Sequence, residues 1–178
     1  MNWFNEPTTW RVDNDTITVT TNPKTDFWRK THYGFIRDNA HFYYRPISGD
    51  FTATVSFSGR YTAQYDQAGL MIRLDEANWL KCGIEYVDGT QQASVVVTRD
   101  YSDWSVGPLD PPPAKLWLRL TRRGEAVEVY YSLDSVSYVM IRVAYLPAAA
   151  EAEVGLMCAS PEGNGFTVTF EDLVIASQ

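Results

Sequence analysis

A chain of 178 residues with 45% hydrophobic and 21% charged side chains has an ordinary globular composition. It can bury close to ~70% of its unfolded surface without disulfide or metal staples. Its formal net charge of −7 excludes the basic footprint that nucleic acid or an anionic membrane surface requires. No stretch approaches the ~20 apolar residues of a membrane span, and MNWFNEPTTW shows no basic segment followed by an apolar run, so a single cytoplasmic domain over residues 1–178 with no signal peptide is the expectation.

Trp3, Phe4 and Trp10 cluster around Asn5-Glu6-Pro7, where Pro7 opposes a regular helix. This segment is read as anchoring the chain start against a sheet. Asp13-Asn14-Asp15 is a turn, and residues 16–21 (TITVTT) alternate as a strand. Residues 22–42 open on an Asn-Pro turn dipeptide. They crowd Phe27, Trp28, His32, Tyr33, Phe35, His41 and Phe42 among charged side chains, with neither helical nor strand period. Such a long aromatic loop either carries function or caps one end of a sandwich.

Residues 51–57 (FTATVSF) point Phe51, Ala53, Val55 and Phe57 inward. A meander follows, with strands at 67–74, 79–86 and 92–99 and turns at 75–78 and Asp88-Gly89. Residues 100–104 are expected to leave it as a polar, aromatic loop. Side chains alternate across a strand. One face therefore carries Ala68, Leu70, Ile72, Leu74, Leu80, Cys82, Ile84, Tyr86, Ala93, Val95 and Val97. The other carries Gln67, Met71, Arg73, Trp79, Lys81, Glu85, Ser94 and Thr98. The first is a core face and the second has the look of a solvated or ligand-binding one.

GPLDPPPAK (107–115) is too proline-rich for a sheet interior and reads as a crossover. Residues 116–122 set Leu116, Leu118 and Leu120 against Trp117, Arg119 and Thr121. Strands at 127–132, 139–145, 154–160 and 166–175 complete the chain, with a short helical turn expected at alanines 148–150. About eleven to thirteen short strands without an amphipathic helix indicate a sandwich or barrel. Cys82 and Cys158 lie in apolar strands and read as buried free thiols.

Candidate chemistry is sparse. A retaining glycosidase needs two carboxyls about 5 Å apart, and no strand offers two glutamates on one face beside a cleft. Glu85 is the only carboxylate on the polar meander face. As an acid or base it would need Asp66 or Asp26 as partner. Glu151 and Glu153 have the spacing but read as solvated. His32 and His41 have no ligand spacing to either cysteine, and only Asp13, Asp15 and Asp172 suggest an oxygen-ligand calcium site. No cofactor is expected. Ser102 and Ser105 lack a nucleophile elbow, and phosphate-binding glycine motifs are absent.

Sugar binding asks for less: an aromatic face for the ring and planar polar groups for its hydroxyls. Gln67, Arg73, Trp79, Lys81, Glu85, Trp117 and Arg119 supply these if their sheet is concave. His32, Tyr33, Asp38, Asn39, Asp103 and Trp104 supply a rim. The plainer reading makes Arg73, Lys81, Glu85 and Arg119 a cross-strand charge ladder on a solvated sheet.

TDFWRKTHYGFIRDNAHFYY (25–44), DQAGLMIRLDEANWLKCGIEY (66–86), SVVVTRDYSDWS (94–105) and GFTVTFEDLVI (165–175) together resemble an uncharacterised family of concanavalin A-like jelly-roll proteins. That family includes a fungal protein described as a regulator of enolase. The resemblance covers almost the whole chain. It implies an all-β, two-sheet antiparallel jelly-roll sandwich of the lectin/glucanase type, and it implies no catalytic residues. Asp26, Trp28, Tyr33, Asp66, Gln67, Trp79, Lys81, Glu85, Asp103 and Trp104 match the family pattern.

The expectation is a non-catalytic carbohydrate- or small-ligand-binding sandwich with a polar-aromatic concave face. Its site would use Asp26, Trp28, Tyr33, Gln67, Arg73, Trp79, Lys81, Glu85, Asp103 and Trp104. A glycan-active enzyme built on Glu85, and a regulatory module that partners a metabolic enzyme, stand as alternatives.

Overall fold

A computed structural model describes residues 1–178 as sixteen β-strands. In chain order they are β1 (Asn2–Phe4), β2 (Thr9–Asp13), β3 (Thr16–Thr20), β4 (Phe27–Arg29), β5 (Ile36–Asp38), β6 (His41–Ser48), β7 (Phe51–Gly59) and β8 (Gln67–Arg73). Then come β9 (Asn78–Val87), β10 (Thr90–Arg99), β11 (Tyr101–Pro108), β12 (Leu116–Arg123), β13 (Ala126–Ser132), β14 (Val139–Tyr145), β15 (Glu151–Ala159) and β16 (Thr167–Ser177). Sheet I has the order β1-β6-β15-β8-β9-β10-β11 and sheet II the order β14-β13-β12-β7-β16-β3-β2. β4 and β5 form a separate hairpin. No helix is long and apolar enough to cross a membrane.

The two sheets enclose the main core. Ala68, Leu70 and Ile72 of β8, Leu80, Cys82 and Ile84 of β9 and Ala93, Val95 and Val97 of β10 meet Phe51, Ala53, Val55 and Phe57 of β7 and Leu116, Leu118 and Leu120 of β12. Period-two alternation alone assigns these faces. Cys82 and Cys158 are buried and unpaired, and burial pushes the Cys82 thiol up to about 12.

Three local expectations give way. Residues 101–104 are not a loop: Asp100 turns the chain at φ 62°, and β11 pairs straight back on β10, with Arg99 opposite Tyr101. Aspartate tolerates this left-handed conformation better than most residues. Residues 148–150 form no helical turn, because β15 starts directly afterwards, where Glu151, Ala152 and Glu153 pair with Ser48, Ile47 and Pro46. Within 22–42 the β4–β5 hairpin forms, and it lies against the outer face of sheet I.

That outer face is therefore not solvated. Phe27, Trp28, Ala40, Phe42, Met71, Trp79, Val96, Met157 and Ala159 make a second core between hairpin and sheet. Gln67, Arg73, Lys81, Glu85, Ser94 and Thr98 are buried beneath or beside it. Trp117 and Arg119 belong to β12 of sheet II, so they join neither this face nor the charge ladder expected for it. Arg119 stacks instead on Tyr130 and Tyr138, 4.5 and 4.4 Å from their ring centres.

Beside these buried polar groups Gly69 and Gly83 face each other in register. A Cβ at Gly83 would lie 2.0 Å from the Ala68 carbonyl oxygen, and one at Gly69 would lie 1.9 Å from that of Cys82. Both obstacles are backbone and cannot swing aside. Gly83→Ala is expected to cost about 3 kcal/mol. Denaturant unfolding checks this through a lower midpoint at unchanged slope, and a loss below about 1 kcal/mol would contradict the packing described.

Candidate functional site

The hairpin is fastened at both ends. At one end the Asp38 carboxylate takes both Arg73 guanidinium nitrogens, at 2.8 and 2.9 Å. The same guanidinium stacks on Phe4, 4.6 Å from the ring centre. At the other end Arg29 and Lys30 donate to Asp100, at 2.9 and 2.6 Å. Lys30 first and Arg29 second hold that carboxyl below its ordinary range. The Arg29 backbone N–H donates to Ser102 Oγ at 2.9 Å. Trp79 lies under the hairpin, 1% exposed, with Phe27 beside it.

Where the hairpin stops, a cavity of about 350 Å³ opens. Gln67 of β8 and Lys81 and Glu85 of β9 form its floor, with Asp26 entering from just before β4. Trp28, Tyr33 and Phe35 of the hairpin wall one side, and Tyr65 and Trp104 the other. Lys24, Arg37, Pro161 and Glu162 complete the lining.

Each floor group is held by part of its bonding capacity. Glu85 Oε2 accepts from Ser94 Oγ at 2.6 Å and from the Trp104 indole N–H at 2.8 Å, while Oε1 has no protein partner. Burial raises the Glu85 pKa, and Lys81, Ser94 and Trp104 oppose the rise. Lys81 Nζ donates to the Phe27 carbonyl at 2.7 Å and to Asp26 Oδ1 at 3.1 Å, which leaves one ammonium proton free. The Asp26 backbone N–H donates to Asn39 Oδ1 at 2.9 Å. Gln67 Nε2 donates to the Tyr65 carbonyl at 3.1 Å, and its own oxygen is uncommitted.

The walls form a run of rings. Trp28 meets Tyr33 edge-on at 5.7 Å, and Tyr65 meets Trp104 edge-on at 6.2 Å. The Tyr33 and Tyr65 hydroxyls stand 3.3 Å apart across the rim. This hydrogen bond is the main cause that pushes Tyr33 up to about 12.

Asp26, Trp28, Tyr33, Gln67, Lys81, Glu85 and Trp104 thus converge on one cavity. Arg73 and Trp79 do not; they are spent on holding the hairpin, and the Trp79 indole N–H donates to the Glu76 carbonyl at 3.3 Å. Asp103 is exposed on β11, 4.0 Å from Arg99. Asp66 is also away from the cavity. Its Oδ2 accepts the Thr62 and Ala63 backbone N–H groups at 2.9 Å each, and its Oδ1 accepts Ser160 Oγ at 2.6 Å. It builds the turn that delivers Tyr65. No three His, Cys, Asp or Glu side chains converge to hold a metal ion. His41 has both ring nitrogens engaged, by the Asn5 carbonyl at 2.6 Å and the Asn22 N–H at 2.9 Å.

Reading the sequence missed Lys24, Phe35, Arg37, Tyr65, Pro161 and Glu162 as lining. Phe35 and Arg37 share a face with Tyr33 at period two, a signal that the hairpin makes usable only once it is known. Pro161 and Glu162 come from the opposite end of the chain, brought in by the bridge between Pro23 and Ser160.

The two seven-stranded antiparallel sheets define the class, a jelly-roll β-sandwich, and the aromatic-walled cavity lies on the outer face of one of them. The carbohydrate-binding module CBM66 from Bacillus subtilis superimposes with a TM-score of 0.62 at 14% identity, over 98% of this chain and 95% of that one. The GH43 protein BlXynB from Bacillus licheniformis superimposes at 0.70 and 15% identity, over 97% of this chain but 36% of that one. At these identities the likeness is one of fold. Much nearer is the crystal structure of a functionally unknown protein from Saccharomyces cerevisiae, with a TM-score of 0.96 and 37% identity over 99% of this chain and 96% of that one. In sequence the chain is 39% identical over 170 residues to "Regulation of enolase protein 1" from Saccharomyces cerevisiae, covering 96% of this chain and 86% of that protein. The model of the family described as "Protein of unknown function (DUF1349)" matches residues 3–178, and the chain belongs to that family.

Proposed function

We propose that this protein is a non-catalytic binder of a small carbohydrate or similarly polyhydroxylated molecule. The observation that carries the reading is Glu85: a buried carboxylate with one oxygen fixed by Ser94 and Trp104 and the other left to an aromatic-walled cavity. A hydroxyl group donates to such an oxygen, and the free Lys81 proton and the Gln67 oxygen complement neighbouring hydroxyls. The rings accept the apolar CH face of a sugar. An enzyme reading with Glu85 as acid or base would have to take its second carboxylate from Glu162 of the cavity lining, because Asp66 is spent on its turn and Asp26 faces Lys81.

A thermal-shift screen against mono- and oligosaccharides, with and without calcium, tests the reading. A ligand at a hundred times its Kd adds about 2.7 kcal/mol, a shift of about 5–10 °C for a chain of this size. A flat panel counts against it. The printed name of the Saccharomyces cerevisiae relative supports a second reading, regulation through contact with a metabolic enzyme. Titration with purified enolase checks that one, and no heat at micromolar concentrations speaks against it.

A further inference from the structure

We infer that the cavity takes one terminal sugar unit end-on, through two adjacent hydroxyls, and not the interior of a polysaccharide chain; the inference rests on the carbohydrate reading above. An oligosaccharide bound along a sheet needs an open groove across several strands. Here the groove is filled. The β4–β5 hairpin crosses the outer face of sheet I, and Phe27, Phe42, Met71, Trp79 and Met157 pack in the buried cluster between them. Its fastenings at Asp38–Arg73 and at Arg29/Lys30–Asp100 keep it from lifting at either end.

The remaining sides close as well. Lys24 donates to the Glu162 carbonyl and joins the 161–165 turn to the chain before β4. Gly163 packs against Ser160 and Ala63, where a Cβ would come within 2.4 and 2.8 Å. Trp104 is bonded to Glu85, and the Tyr33 and Tyr65 hydroxyls meet over the rim. What is left, about 350 Å³, is at the small end of ligand cavities.

The floor sets which part of the sugar enters first. Gln67 and Glu85 are cross-strand partners on β8 and β9. Such pairs have Cβ atoms about 5 Å apart, and each of these two leaves one oxygen without a protein donor. Two acceptors carried on neighbouring strands can each take one O–H group of a vicinal diol. Asp26 and Lys81 neutralise each other beside them, and an anionic group on this floor would meet the Glu85 oxygen, so the floor suits a neutral diol.

Titration calorimetry of the intact protein is the test, with glucose, galactose, mannose, xylose, arabinose and fructose and the linear oligomers of each up to six units. For the sugar that binds, the monosaccharide and its hexamer are expected to agree in Kd within about threefold, at one site per chain. Affinity that climbs about tenfold or more between monomer and tetramer would overturn end-on binding while leaving the carbohydrate reading intact. Silence from every monomer and oligomer would overturn both.

Discussion

Glu85→Gln is expected to weaken ligand binding by about 10- to 100-fold, the effect of about 1.5–3 kcal/mol for a hydrogen bond to a charged group. The substitution is nearly isosteric. The glutamine oxygen can take the position held by Ser94 and Trp104, at 2.6 and 2.8 Å in the parent. Its amide nitrogen then occupies the position that faces the cavity, and an acceptor has become a donor. The fold does not suffer. Burial raises the Glu85 pKa, so the folded chain holds a proton that the unfolded chain has released between about pH 4.3 and the raised value. Within that window stability falls as pH rises. At pH 7 the variant should melt no lower than the parent, and any advantage should vanish below about pH 4. Calorimetric titration and melting curves across pH measure both halves. Unchanged affinity in the variant would remove Glu85 from the site and the proposed function with it.

Alternation made one half of the molecule legible. Leu70, Leu80 and Val95 lie on the side that period two assigns them, because hydrophobic burial between two sheets leaves a pattern in each strand separately. The other face was sorted correctly and interpreted too simply. Lys81 and Glu85 read either as part of an open ligand-binding face or as a solvated ladder, because charged residues are seldom buried without partners. Their partners are the Phe27 carbonyl, Asp26, Ser94 and Trp104, and only Ser94 and Trp104 lie within the same meander. The cover over that face comes from residues 22–42, whose aromatic content was visible but whose docking depends on Asp100 and Arg73, far along the chain. Local pattern assigns a side chain to a face and cannot say what lies on top of it. Trp79 and Trp104 show the consequence: both are indoles in the same meander, yet one is 1% exposed under a hairpin and the other 39% exposed in a cavity wall.

That difference makes opposite demands on Trp79. Trp79→Ala should destabilise the protein by about 3–5 kcal/mol, the range for removing a large aromatic side chain from a core. It should also abolish binding, though Trp79 is not part of the cavity lining. The route runs through the hairpin. Trp79 packs on Phe27, and the carbonyl of Phe27 together with the adjacent Asp26 holds the Lys81 ammonium. A cavity under Phe27 loosens both, and the polar floor loses its arrangement together with the wall. Trp79→Phe separates support from contact. The phenyl ring keeps most of the packing and loses the hydrogen bond to the Glu76 carbonyl, at about 1 kcal/mol. Its affinity should stay within about threefold of the parent, because no group facing the ligand has changed. Amide exchange across residues 27–38 gives the independent readout: faster in the alanine variant, near the parent in the phenylalanine one. Loss of binding in Trp79→Phe with stability lowered by no more than that hydrogen bond and exchange near the parent would mean that the indole itself meets the ligand. The hairpin would then have to lift for the ligand to enter, and the fastenings at Arg73 and Asp100 would be a latch.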